Sequence, residues 1–122
     1  MADTDVTNTP ADLPPEDAKL VTLARAARGR IGATEGAAVR DETGRTYTGA
    51  TVGLGSMSMT AVQMAVAQAH ISGARGLEAV VVVRGVPVVA DADLAAVRDL
   101  GGAGVPVIVV ASDGRVIATV PS

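Results

Sequence analysis

The chain has 122 residues, no cysteine, one histidine (His70) and a formal net charge of −3. This length supports one domain, and the missing thiols exclude disulfides, thiol nucleophiles and cysteine-based zinc centres. A triad that depends on histidine would have to be built around His70 alone.

Residues 1–17 hold Asp3, Asp5, Asp12, Glu16 and Asp17 and no base, which leaves ten basic and eight acidic residues, a charge of +2, on the rest. This acidic stretch with Pro and Thr reads as a disordered tail over residues 1–13, ahead of a single domain over 14–122. The acidic start is unlike a secretory signal, and the longest apolar runs, such as Val105–Ala111, are too short to span a bilayer. The expectation is a cytoplasmic protein with no membrane partner. The near-neutral body also lacks the basic stripe of a nucleic-acid binder.

Pro14-Pro15-Glu16-Asp17 starts a helix, with proline and acids in the first turn. Leu20, Leu23, Ala24 and Ala27 recur at helical spacing, and Gly29 is the expected stop. Arg25, Arg28 and Arg30 cluster toward its end. They complement the helix dipole there, a reading preferred over a phosphate site. Gly36 to Arg40 reads as a strand, Asp41-Glu42-Thr43-Gly44 as a turn, and Arg45 to about Val52 as the returning strand of a hairpin. Ser56 or Ser58 is the expected cap of a second helix that runs to about Ser72. That helix carries no charge, so burial on several sides is expected.

Leu77 to Val83 contains four consecutive valines, as in a central strand covered on both faces. Asp91 is the expected cap of a short helix through Leu94, Val97 and Leu100, ended by the glycines at 101, 102 and 104. Val105 to Val110 is a second buried strand, Ser112-Asp113-Gly114 a turn, and Arg115 to Val120 a last strand. The order α-β-β-α-β-α-β-β predicts a three-layer α/β domain: one mixed five-stranded sheet with helices on both faces. The core has no Phe or Trp and one aromatic, Tyr47. Alanine and valine bury less area each, at ~25 cal/mol per Å², so an oligomeric interface is expected to add burial.

Gly36-Ala37-Ala38, a turn ending in Gly44-Arg45, then Tyr47-Thr48-Gly49 resembles the opening hairpin of cytidine deaminases, where G-A-A, an acidic turn and an aromatic before T-G follow at the same spacing. The match resumes from Ala65 to Val83, through Gly73, Leu77, Ala79 and the valine strand, and the element order agrees over about residues 17–120. The resemblance implies the cytidine deaminase-like fold. It also implies positions for the family's chemistry. The metal-ligand and glutamate motif, C-A-E or H-A-E, falls on Thr60-Ala61-Val62. The second ligand motif, P-C-x-x-C, falls near Val89-Ala90-Asp91-Ala92-Asp93. The ribose-binding N-x-E falls on Thr51-Val52-Gly53, with about two residues missing before the helix. The aromatic against the base falls near Ala33.

Deamination of cytosine uses a hydroxide made from zinc-bound water. A threonine hydroxyl is a poor zinc ligand beside thiolate. Valine carries no proton, where acid–base transfer contributes ~10²–10⁴-fold. The resemblance therefore implies a scaffold with no metal, no cofactor and no catalytic residues. The remnant pocket is expected to comprise Thr51, Gly53, Ser58, Thr60, Val62, Gln63, Asp91 and Asp93.

Other candidates have structural readings beside the functional ones. His70 near a helix end serves the dipole rather than catalysis. Asp91 and Asp93 with Thr60 offer a weak oxygen site for Mg²⁺ or Ca²⁺, but first-turn acids at a helix start explain them better. Met57, Met59 and Met64 fill core space. Gly53 and Gly55 form no phosphate loop and supply unusual backbone angles instead. The expected function is a catalytically inactive, homo-oligomeric (dimeric or tetrameric) binding or interaction module with a protein partner. The alternative is a sensor of a nucleoside-like or other small-molecule ligand in the remnant pocket. An active deaminase or other hydrolase ranks last.

Overall fold

Successive valines and alanines of the central strands point to opposite faces of the sheet and so build two cores at once. The computed structural model describes residues 12–122. Strands β1 (Gly36–Asp41), β2 (Thr46–Ala50), β5 (Leu77–Val83), β6 (Pro106–Val110) and β7 (Val116–Pro121) form one sheet in the order β2-β1-β5-β6-β7. The β5–β6 pair is parallel and the other pairs are antiparallel. Helix α1 (Pro15–Ile31) covers one face, while α2 (Ala61–Ile71) and α3 (Asp91–Gly101) cover the other. Ala37, Val39, Val80 and Val82 point toward α2 and α3. Their neighbours Ala38, Ala79, Val81 and Val83 point toward α1. This is the period of two that a strand imposes. The fold is the expected three-layer α/β sandwich. Among the described residues no helix is long and apolar enough to cross a membrane.

Two glycines set how closely the layers approach. A Cβ on Gly49 would lie 2.5 Å from the Ala61 carbonyl oxygen and 2.5 Å from the Ala65 nitrogen of α2. A Cβ on Gly36 would collide with Ala24 and Arg28 of α1. The two sit on adjacent strands, Gly36 opposite Ala50 and Gly49 opposite Ala37. The glycines of the G-A-A and T-G motifs are thus the contact points of opposite helix layers.

Several boundaries differ from expectation. Helix α1 passes Gly29 and ends at Ile31. Gly32, at φ 62°, closes it by donating its N–H to the carbonyls of Arg28 and Gly29, while an interior glycine costs only ~1 kcal/mol. Of the expected tail over residues 1–13, residues 1–11 lie outside the described residues; Leu13 packs against the α1-side core. The returning strand stops at Ala50. A small hairpin of β3 (Val52–Gly53) and β4 (Ser58–Met59) follows, with Gly53 paired to Ser58. Neither Gly53 nor Gly55 has a positive φ, so the expectation of unusual backbone angles there fails. Helix α2 starts at Ala61 with Thr60 as its N-cap, not Ser56 or Ser58. Helix α3 has Ala90 as N-cap, which makes Asp91 its first residue rather than its cap.

Candidate functional site

The N-termini of α2 and α3 meet through two side chains. Thr60 caps α2 with a capping box: its Oγ1 accepts from the Gln63 backbone N–H at 3.0 Å, and its own N–H donates to Gln63 Oε1 at 3.0 Å. Such a box satisfies two of the helix's free donors. The remaining capacity of the Thr60 hydroxyl is its proton, which it donates to Asp93 Oδ1 at 2.6 Å. Asp93 lies in the first turn of α3 and is only 3% exposed. Beside it, Val62 is fully buried.

Of the eight expected pocket residues, the structure brings together Thr60, Gln63 and Asp93, with Val62 next to them. Asp91 is exposed at the start of α3. Ser58 and Gly53 are exposed on the small hairpin. Thr51 is tied to Glu35: its Oγ1 accepts from the Glu35 N–H at 2.9 Å and its backbone N–H donates to the Glu35 carbonyl at 3.1 Å. Thr51, Val52, Gly53 and Ala33 line a separate cavity of about 400 Å³, together with Ile31 and Leu54. The positions that the resemblance assigns to ribose and base therefore share one hollow.

His70 is exposed in the last turn of α2. It lines a cavity of about 310 Å³ between α2 and α3, with Asp99 and Leu100 opposite. Ten residues along the helix from Thr60, it is about 15 Å away from that hydroxyl. The methionines do not fill the core as expected: Met57 is 51% exposed, and Met59 and Met64 are half-buried. Helix α2 packs on the sheet and on α3, so it is buried on several sides as expected, with Gln68, His70 and Ile71 left exposed.

The donor set at Thr60 and Asp93 does not fit a zinc ion. It offers one hydroxyl, already bonded in both senses, and one carboxylate. A zinc centre takes three or four ligands of N, S or carboxylate type. Among the described residues no group of three or more His, Asp or Glu stands together. For a hard cation the same residues offer one carboxylate, Asp93, whose Oδ1 already accepts the Thr60 proton, so water would have to supply nearly all of the coordination.

The sequence reading missed a polar cluster at the β1–β2 turn. Asp41, 2% exposed, accepts at Oδ1 from the Thr43 N–H (2.8 Å), the Thr43 hydroxyl (2.7 Å) and the Arg45 N–H (3.0 Å), and at Oδ2 from the Tyr47 hydroxyl (2.9 Å). Burial pushes its carboxyl up, but hydrogen bonds from Thr43, Tyr47 and Arg45 outweigh that and hold it below the usual range. The Tyr47 phenol is raised by its bond to this carboxylate. The spacing Asp-x-Thr-Gly is the available signal, an Asx-turn. The cluster orders the hairpin and bonds to neither Thr60 nor Asp93.

Comparison with known proteins agrees with this architecture. The family model "Cytidine deaminase-like" matches residues 13–114. The cytidine deaminase of Burkholderia pseudomallei superposes with a TM-score of 0.71 at 22% identity, covering 85% of this chain and 89% of that one. The cytidine deaminase of Mycobacterium tuberculosis does so with a TM-score of 0.64 at 25% identity, covering 73% and 80%. That of Mycobacterium leprae gives 0.63 at 20% identity, covering 80% and 88%. No curated protein sequence matches. With the family model spanning most of the chain and the sheet order, helix layers and contact glycines in place, this chain belongs to the cytidine deaminase-like family.

Proposed function

We propose that this protein is a catalytically inactive member of its family, acting in the cytoplasm as a self-associating binding or interaction module. The observation that carries the reading is the 2.6 Å hydrogen bond from Thr60 to Asp93. It lies where the resemblance puts the family's two ligand motifs. The Thr60 hydroxyl is spent on this bond and on the helix cap, so the pair offers a metal one carboxylate where a zinc centre takes three or four ligands, and the neighbouring Val62 side chain transfers no proton. The same bond holds the two helix ends together without an ion. Self-association has support in the exposed apolar side chains Ile31, Leu54 and Met57 beside the small hairpin. Exposed apolar groups that adjoin one another mark interfaces.

The test is the metal content and turnover of the purified chain. Elemental analysis is expected to find zinc far below one per chain, and incubation with cytidine is expected to release no uridine above background. Stoichiometric zinc, or turnover that disappears on chelation, would falsify the reading.

A second reading has one observation in its favour. The hollow of about 400 Å³ at Ala33, Thr51 and Gly53 falls within the size range of small-molecule sites. It favours a sensor of a nucleoside-like ligand, one that binds without reacting. Such a ligand would raise the melting temperature on titration.

A further inference from the structure

A second cleft opens at the carboxyl ends of β5 and β6, on the α1 side of the sheet. It measures about 200 Å³ and is lined by Arg28 and Thr34 from the α1–β1 region, Arg84 and Gly85 after β5, and Ser112 after β6. The two parallel strands end together here, with Val83 opposite Val110. The crevice outside the carboxyl ends of parallel strands is where open α/β sheets hold ligands.

The arginines around it have unspent donors. The dipole of α1 explains why positive charge gathers at its end, but not where the guanidinium groups go. The last carbonyls of α1 are capped by backbone N–H groups of Gly32 and Ala33. Among the described residues, Arg28 donates only Nε, to the Thr34 carbonyl at a long 3.3 Å. Arg25, next to the cleft, donates Nε alone to the described residues, to the Ser112 carbonyl at 3.1 Å. Arg84 donates Nη1 to the Val88 carbonyl at 2.6 Å. Its Nε lies 3.3 Å from Glu35 Oε2, yet is buried and makes no hydrogen bond. It faces the Glu35 carboxylate as an ion pair of poor hydrogen-bond geometry. Among the described residues Glu35 is the one carboxylate paired with this group, so Arg25, Arg28 and Arg84 together outweigh it.

We propose that this cleft binds one phosphate-type oxyanion, either free phosphate or the terminal group of a small ester. Guanidinium groups from α1 and from the β5 end approach from different elements, and the Thr34 and Ser112 hydroxyls add donors between them. That arrangement surrounds a tetrahedral anion, whereas a planar carboxylate is served by one bidentate arginine. Gly85 places no side chain on the rim, so an anion can reach the backbone. The volume is below that of pockets for drug-sized ligands, which points to a small group rather than a whole nucleotide.

The test titrates the full chain at constant ionic strength with inorganic phosphate, glycerol phosphate and acetate, read by calorimetry. Saturable binding of phosphate or of the ester is expected, and the tighter of the two identifies the source. Arg28→Gln, whose side chain makes one long bond, is expected to keep its circular dichroism spectrum and bind at least about tenfold more weakly. Glu35→Gln, which removes the competing carboxylate from Arg84, is expected to bind several-fold more tightly, a gain that a merely structural role would not give. No saturable binding by the native chain, acetate binding equal to phosphate, or unchanged affinity in R28Q would each overturn the proposal. An E35Q chain that binds no more tightly would remove Arg84 from the site.

Discussion

At the scale of the residue, the largest effects come from polar groups whose partners are all inside the protein. Asp41 is the fullest case, with four hydrogen bonds on two oxygens. Burial alone would raise its carboxyl. The donors of Thr43, Tyr47 and Arg45 outweigh burial and leave it below the ordinary value, which is about 3.9 in an unfolded chain. The sign of the pH effect follows. Between the two values the unfolded state holds more protons than the folded one, so stability rises with pH there. The contribution of Asp41 is fully present above its unfolded value and is lost as pH falls through the lower folded value. Asp41→Asn is therefore expected to be less stable than the native chain at neutral pH by about 1–3 kcal/mol, the worth of hydrogen bonds to a charged group. The gap should close in acid. Urea unfolding of both chains across the acid range measures this, and a gap independent of pH would refute it.

At the scale of the element, the helix layers are joined by contacts of different legibility in the sequence. The strands were readable because Val80 to Val83 and Val107 to Val110 are β-branched runs bounded by turn residues. The start of α2 was harder. Ser56, Ser58 and Thr60 are all competent caps, and only Thr60 has a glutamine three positions on to complete a capping box. The Thr60–Asp93 bond spans 33 residues, a long-range pairing that no local pattern reports. The same holds for the Arg84–Glu35 pair. By contrast, the G-A-A and T-G motifs were legible as family signs, while their physical reason, the approach of α1 and α2 to Gly36 and Gly49, appears only in three dimensions. The Thr60–Asp93 bond predicts an energetic tie between α2 and α3. In a double-mutant cycle with Thr60→Val and Asp93→Ala, each single change also disturbs a helix start, and the cycle removes those separate costs. A coupling of about 1.5–3 kcal/mol is expected for a buried bond to a carboxylate. A coupling under about 0.5 kcal/mol would mean the two helix ends are held by apolar packing alone.

At the scale of the whole molecule, the composition of the core bears on assembly. Both cores are built almost entirely from valine and alanine, which each bury less area than larger apolar side chains would. Meanwhile Ile31 is 67% exposed, Leu54 63% and Met57 51%. These three are neighbours: Ile31 and Leu54 line one hollow, and the Leu54 N–H donates to the Met57 carbonyl at 2.9 Å. Joining two copies along this edge would take these apolar side chains out of water. A protein stabilised by its own association melts at a temperature that rises with its concentration. We expect that dependence for the native chain, together with a sedimentation coefficient above the monomer value at micromolar concentration. Replacing Leu54 and Met57 by serine touches neither core, so the folded spectrum should persist. The concentration dependence and the larger species should disappear together. A native chain that sediments as a monomer up to on the order of 100 µM would remove self-association from the proposed function and leave the apolar edge to a different protein.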